Sequence, residues 1–450
     1  MTTAVDRIAI KAKERPGDRI FSTATVVAGS LILAVLAAVA IFLFVQSVPA
    51  FMAAPDDFKG DFTNFWSYVA PLAFGTVWSA FLALLMAVPV AIAVALFISH
   101  FAPRKLAQGL GYLIDLLAAV PSVVFGLWGI GVLAPLVQPF YATLVEWFGW
   151  FPLFAGPVSG TGRTIFTVAI VLAGVAAFLT IEGIPGITAS PDEVKSGQSF
   201  LPYVWPLVYG TLLAATIALL ISIPVAIGVA LFISHYSPRK LGQVLGYLID
   251  LLAAVPSVVY GLWGIGFLAP KMAPIYQWLE DHLGFIPLFD GPASATGRTI
   301  LTASIVLAVM ILPIMTAICR EIFLQTPRLH EEAALALGAT RWEMARMAIF
   351  PYARSGIVSA AMLGLGRALG ETLAVAMVLS VSAGTVTANL ISSTNPSTIA
   401  ANIALSFGEA SGKTVNVLIA SGLVLFVITF LVNFAARAIV DRRKEFSGAN

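Results

Sequence analysis

The chain has 450 residues, 59% of them hydrophobic and 11% charged, with a mean hydropathy of +0.95. A soluble domain carries about 25% charged residues, so this composition excludes a soluble globular protein and needs lipid as its solvent. The net charge of +2 points neither to nucleic acid nor to an acidic substrate, and a single cysteine, Cys319, excludes an intrachain disulfide and any multi-cysteine metal site.

A membrane span takes about 20 apolar residues and must be helical, because lipid offers the backbone no hydrogen-bond partner. Nine stretches qualify: residues 22–48, 69–98, 109–136, 160–184, 204–233, 244–270, 298–320, 354–382 and 414–440. Arg7, Lys11, Lys13, Arg15 and Arg19 precede the first, and Arg442, Arg443 and Lys444 follow the last. Both termini are therefore expected in the cytoplasm. The first stretch is too long for a signal peptide and lacks an obvious cleavage site, so it is expected to be retained. Cys319 reads as a packing residue.

An internal repeat dominates the organisation. Residues 99–135 and 234–270 differ at six of 37 positions, and the match holds at a constant offset of 135 from Tyr68 to Ala173. After Ala308 the second copy continues into a charged loop and two more spans, whereas after Ala173 the first runs into GVAAFLTIEGIPG, which resembles the start of the unit. The expected division is a cytoplasmic tail (1–21), a partial copy of about three spans (22–160), a six-span core (161–441) with a cytoplasmic loop (321–353), and a second tail (442–450). Arg104 and Lys105 want the same side as their copies Arg239 and Lys240, yet three stretches separate the pairs. One segment is therefore expected not to cross, the junction 160–184 first, unless the duplication is a defect of the gene or its record.

Residues 321–353, EIFLQTPRLHEEAALALGATRWEMARMAIFPYA, read as two short helices. Thr326 is expected to cap the first with Pro327 at its opening position, Gly338 to end it in a left-handed turn, and Thr340 with Glu343 to open the second as a capping box. Arg320, Arg328, Arg341, Arg346 and Arg354 hold this elbow in the cytoplasm.

Glu332-Ala333-Ala334, then Gly338 and Pro351, resemble the EAA loop of bacterial ABC importer permeases, although Ala348 and Phe350 stand where that pattern has Ile and Leu. AAVPSVVYGLWG at 253–264, LGRALGETLAVAMVL at 365–379, Ala401-Asn402-Ile403 and Phe407-Gly408-Glu409-Ala410 are similar to the C-type subunit of phosphate-specific permeases. The resemblance covers residues 165–445 and again 22–173. It implies an all-α polytopic membrane helical bundle, a six-span core plus about three duplicated spans, acting as the permease of an ATP-driven inorganic phosphate importer by alternating access. It implies as partners an A-type phosphate permease, an ABC ATPase dimer that supplies the hydrolysis, and an extracytoplasmic phosphate-binding protein. The chain itself is then no enzyme, lies multi-pass in the inner or plasma membrane, and carries no cofactor and no metal. Glu332, Ala333, Ala334, Gly338 and Pro351 inherit the ATPase-coupling role, and the first copy, lacking such a loop, is not expected to engage an ATPase.

Arg367 and Glu371 stand at i and i+4 on one helical face of the stretch 354–382. A charge in a span costs at least about 2.5 kcal/mol, so such residues face the interior, pair, and mark a substrate path. Arg suits phosphate because its planar fork donates two parallel hydrogen bonds and stays protonated. Arg367 is expected to contact phosphate with Glu371 as its gate; a purely structural ion pair is the alternative, and sulfate or molybdate remain open as cargo. Asp115 and Asp250, about a turn into their spans, read as structural. His100 and His235 sit at cytoplasmic ends, and the four histidines have no metal-ligand spacing. Gly408 to Thr414 imitates a P-loop but has three residues between its glycines where the motif needs four, which removes any ATPase activity. Trp147, Trp150 and Trp278, in 138–162 and 272–297, suit interfacial helices; the resemblance gives that face to the binding protein.

Overall fold

The computed structural model describes residues 16–52, 64–103, 122–150, 183–193 and 197–444 apart from Ala383, with 106–107 and 110 as isolated positions. The helices are α1 Pro16–Phe51, α2 Phe65–Leu96, α3 Ser122–Trp128, α4 Ala134–Phe148, α5 Phe200–Leu231, α6 Arg239–Ala253, α7 Ser257–Trp263, α8 Ala269–Leu283 and α9 Ile300–Leu324. Then follow α10 Arg328–Ala336, α11 Arg341–Met344, α12 Phe350–Leu369, α13 Leu373–Val378, α14 Ile399–Ser406 and α15 Lys413–Lys444. Among the described residues the only β pairings are two isolated bridges, Ala293 with Ser392 and Val381 with Asn395. The all-helical bundle expected from composition is what forms. Among the described residues six helices are long and apolar enough to cross a membrane: Phe65–Phe101, Phe200–Tyr236, Ser257–Leu283, Ile300–Leu324, Arg341–Leu369 and Lys413–Ala435. A seventh candidate joins Phe125–Gly131 to Ala134–Phe148 through a 57° bend.

Helix α9 is the most enclosed of these and organises the rest. Every fourth residue of α5 is small: Gly210, Ala214, Ala218, Ser222, Ala226 and Ala230 are all buried. In lipid, helices associate by close packing rather than by hydrophobic drive, and small residues let the backbones approach. Ser222 reaches α9 directly, its Oγ donating to the Met315 Sδ at 3.6 Å. Helix α12 runs antiparallel to α9, since a methyl group on Gly356 would overlap Ile322 and one on Gly364 would overlap Met315. Gly246 of α6 lies against Arg320 and Gly264 against Val306, so the path from α6 through α7 follows α9 in the opposite direction.

Two expected spans prove to be broken. The stretch 244–270 divides into α6, which stops at Ala253, and α7, which Pro256 opens; a proline lacks the N–H and turns its predecessor away from helix. The stretch 354–382 stops at Leu369, and α13 begins only at Leu373. Gly370 caps the first helix, and the Glu371 carboxylate and Thr372 hydroxyl bond to nearby backbone groups, drawing the chain out of helical geometry. The expected junction span up to residue 182, the part of 109–136 before Ser122 apart from the isolated residue 110, and Arg104, Lys105 and Asp115 lie outside the described residues.

The two copies are placed differently. Helix α2 has no buried residue, whereas α5 is a core helix. Helix α1 packs on the second copy, with the Phe232 ring against Gly29 and Phe42 against Gly266 and Phe267. Leu127 and Trp128 of α3 join the main core, and Gly183 and Gly186 rest against Ala420 and Asn416 of α15.

Candidate functional site

The break after α12 lies deep in the bundle. Gly364 packs against Met315 and Ile311, so Arg367, three residues further along an antiparallel helix, comes level with Met310–Ile311, near the middle of Ile300–Leu324. Arg367 occupies the last turn of α12, where the negative end of the helix dipole favours a cation. It is partly buried, and among the described residues its guanidinium makes no hydrogen bond or ion pair. Glu371 is 8% exposed, and its Oε1 accepts from the Ala374 amide at 3.0 Å. The expectation of one helical face carrying both charges is therefore corrected: the helix ends between them, and the carboxylate turns to α13.

Beyond α13 the described residues from Leu379 to Thr398 form no helix, and the segment is held from inside. Asn395 is fully buried; its Oδ1 accepts from the Ile300 amide at 2.9 Å, and its Nδ2 donates to Ser380 and Ser392 carbonyls at 3.0 Å and to the Arg298 carbonyl at 3.3 Å. Irregular backbone at such depth survives only where protein satisfies it. The Arg298 guanidinium donates to the Met377 and Val378 carbonyls at 3.2 and 3.4 Å, closing the C-terminus of α13. Sequence reading missed Asn395 and Arg298; the signal for Arg298 was a charge placed just ahead of an apolar stretch.

At the other end of α12 stands the elbow. Helix α10 has Pro327 as its N-cap, and among the described residues the Thr326 hydroxyl has no partner, so the expected Thr326 cap is replaced by a proline carbonyl that accepts from the His330 amide. Gly338 takes φ +84°, the left-handed turn expected of it. Thr340 and Glu343 form the capping box reciprocally, at 3.3 and 2.9 Å. Ala334 is buried beside Cys319, Phe323 and Ile349, while Glu332 and Ala333 face outward and Pro351 sits in the first turn of α12. Leu329 and Leu337 protrude at 76% and 90% exposure, apolar side chains beside the exposed charges of Arg328 and Glu332. Side contacts brace the elbow: His235 Nε2 meets Glu331 at 3.3 Å, Arg341 lies 5.9 Å over the Tyr236 ring, and Arg320 meets Asp250 at 3.5 Å. Helix α11, a π turn at Ala345–Ile349 and α12 form one helix, Arg341–Leu369. The elbow and Arg367 are thus the two ends of a single rod about 43 Å long at 1.5 Å per residue. Among the described residues no group of His, Cys, Asp and Glu side chains comes together that could hold a metal.

Residues 222–445 match the family described as binding-protein-dependent transport system inner membrane component. The phosphate transport system permease protein PstC 2 of Mycobacterium tuberculosis is 47% identical over 298 residues, covering 64% of this chain and 90% of that protein. PstC of Xylella fastidiosa is 42% identical over 284 residues, covering 62% and 82%. PstC of Mesorhizobium japonicum is 37% identical over 300 residues, covering 64% and 90%.

Proposed function

The chain belongs to the family of binding-protein-dependent transport system inner membrane components, and we propose that it is the permease subunit through which an ATP-driven importer passes inorganic phosphate. It is a multi-pass membrane protein and not an enzyme; a separate ATPase supplies the hydrolysis and a binding protein delivers the cargo. In the finer reading its partners are an A-type phosphate permease, a dimer of ATPase subunits and an extracytoplasmic phosphate-binding protein, and its home is the inner or plasma membrane.

One observation carries the mechanism: a guanidinium without a partner among the described residues, level with the middle of the most enclosed span. Such a charge is too costly to keep in hydrocarbon and marks a route. Its fork matches two oxygens of a tetrahedral anion, and its proton does not leave at working pH. On this reading ATP-driven closure of the ATPases pushes on Glu332, Ala333 and the protruding Leu337. Ala334 and the Gly338 turn pass the displacement to α11, and the rod from Arg341 to Leu369 carries it to Arg367. Glu371, held on α13, marks the moving boundary between the two half-helices.

Vesicles bearing the assembled transporter test the cargo. Excess unlabelled phosphate is expected to abolish uptake of labelled phosphate and sulfate to leave it unchanged; inhibition by sulfate reassigns the oxyanion. Recovery of the ATPase by pull-down without accumulation of phosphate would reassign the chain as a sensor.

A further inference from the structure

The near-identical segments 99–135 and 234–270 give the chain an internal comparison. Two of their six differences exchange phenylalanine for tyrosine, Phe101 against Tyr236 and Phe125 against Tyr260. Each tyrosine lies near a segment from the part of the chain that occurs only once. Arg341 lies 5.9 Å over the Tyr236 ring, and Gly261, next to Tyr260, lies against Ala374, just past the break that follows Arg367. The copy that lacks both arginines lacks both hydroxyls.

Tyr236 is at the cytoplasmic elbow; Tyr260 is at the break. Tyr260 is 1% exposed, and the next residue, Gly261, lies against Ala374, whose amide Glu371 holds. Helix α7 therefore brings a phenol to the place where α12 ends. Its hydroxyl donates to the Leu252 carbonyl at 3.2 Å. That carbonyl already accepts from the Val255 amide at 3.2 Å, so the hydroxyl is not needed to satisfy it. Redirecting the hydroxyl to another acceptor would leave that carbonyl still paired with the Val255 amide.

We propose that Tyr260 is a further residue of the anion path, its hydroxyl donating to the oxyanion that Arg367 receives. This rests on the reading of Arg367 given above. A guanidinium approaches from one side, and the phenol supplies a donor from another helix, so the two together hold the anion at the boundary between the half-helices.

The test uses the complete transporter in vesicles at saturating loaded binding protein, with phosphate uptake and ATP turnover both taken per permease recovered. Tyr260→Phe reproduces the residue that the other copy houses at Phe125. A hydrogen bond to a charged partner is strong enough that uptake should fall roughly tenfold, while ATP turnover stays within about twofold, so that phosphate moved per ATP drops. Tyr247→Phe, at an exposed tyrosine of α6, should leave that ratio unchanged. Wild-type uptake in Tyr260→Phe overturns the proposal, and so does a parallel fall of uptake and ATP turnover, which is the signature of lost helix packing. Arg367→Ala separates the two levels: if it transports normally, the reading of Arg367 fails, whereas its loss of transport beside a normal Tyr260→Phe sinks this inference alone.

Discussion

Glu371 accepts from the Ala374 amide at 3.0 Å and makes no ion pair with Arg367, although four residues separate them in sequence. The carboxylate is thus first a local cap on a broken span. Glu371→Gln keeps an acceptor and should leave detergent stability unchanged. Glu371→Ala leaves a buried amide unpaired and should lower stability by about 1–3 kcal/mol, read as an earlier thermal midpoint. Equal losses in both variants would mean that the negative charge, rather than the acceptor, holds the segment.

The left-handed Gly338 joins two short helices at φ +84°. Any side chain there costs about 1–2 kcal/mol, enough to shift the angle between the two short helices that Gly338 joins. Gly338→Val should reduce recovery of the ATPase by pull-down while the chain still inserts. Leu337→Asp, at a residue 90% exposed, should do so with unchanged stability. Undiminished recovery in both would remove the elbow from the docking surface.

Ala218 lies at 0% exposure on the face of α5 that meets α9, and its copy Ala83 stands on α2, which buries nothing. Overpacking a tight core costs about 1–3 kcal/mol. Ala218→Leu should therefore lower the thermal midpoint, and Ala83→Leu should not. A matching loss at Ala83 would mean that α2 is packed in the working protein.

Glu193 is held down to about 2 by its hydrogen bond from Lys413 at 2.6 Å, with the Ser190 amide as a second donor. A lowered carboxylate favours the folded contact above its ordinary value of 4.5, and that contribution is lost as pH falls toward 2. The tie between residues 190–193 and the start of α15 should loosen only in that window. Isotope-edited infrared titration of the carboxylate should give a midpoint near 2 that rises in Lys413→Ala; a midpoint unmoved by that change would show the pair to be idle.

Much of this was legible because lipid simplifies the alphabet. Residues 204–233 and 298–320 emerged as α5 and α9, since a long uncharged apolar run has one solution in a membrane. The Gly338 turn and the Thr340–Glu343 box were readable because each is local. The breaks were not, because apolar count is blind to continuity: Pro256 and the Gly370–Thr372 corner interrupt runs that hydropathy averages into one. Thr326 misled because it precedes a proline whose own carbonyl does the work. Asn395 binds partners about 95 and 15 residues away, contacts that no local pattern encodes. The approach of Gly261 to Ala374, which brings α7 to the break after α12, was equally invisible, since it joins residues more than a hundred apart.

The most direct measurement is phosphate uptake per recovered permease in vesicles carrying wild type, Arg367→Lys and Arg367→Ala. The account expects loss of uptake in Arg367→Ala and at most partial function in Arg367→Lys, which keeps the charge but not the fork, with membrane insertion and ATPase recovery unchanged. Wild-type uptake in Arg367→Ala, with the protein properly inserted, would contradict it.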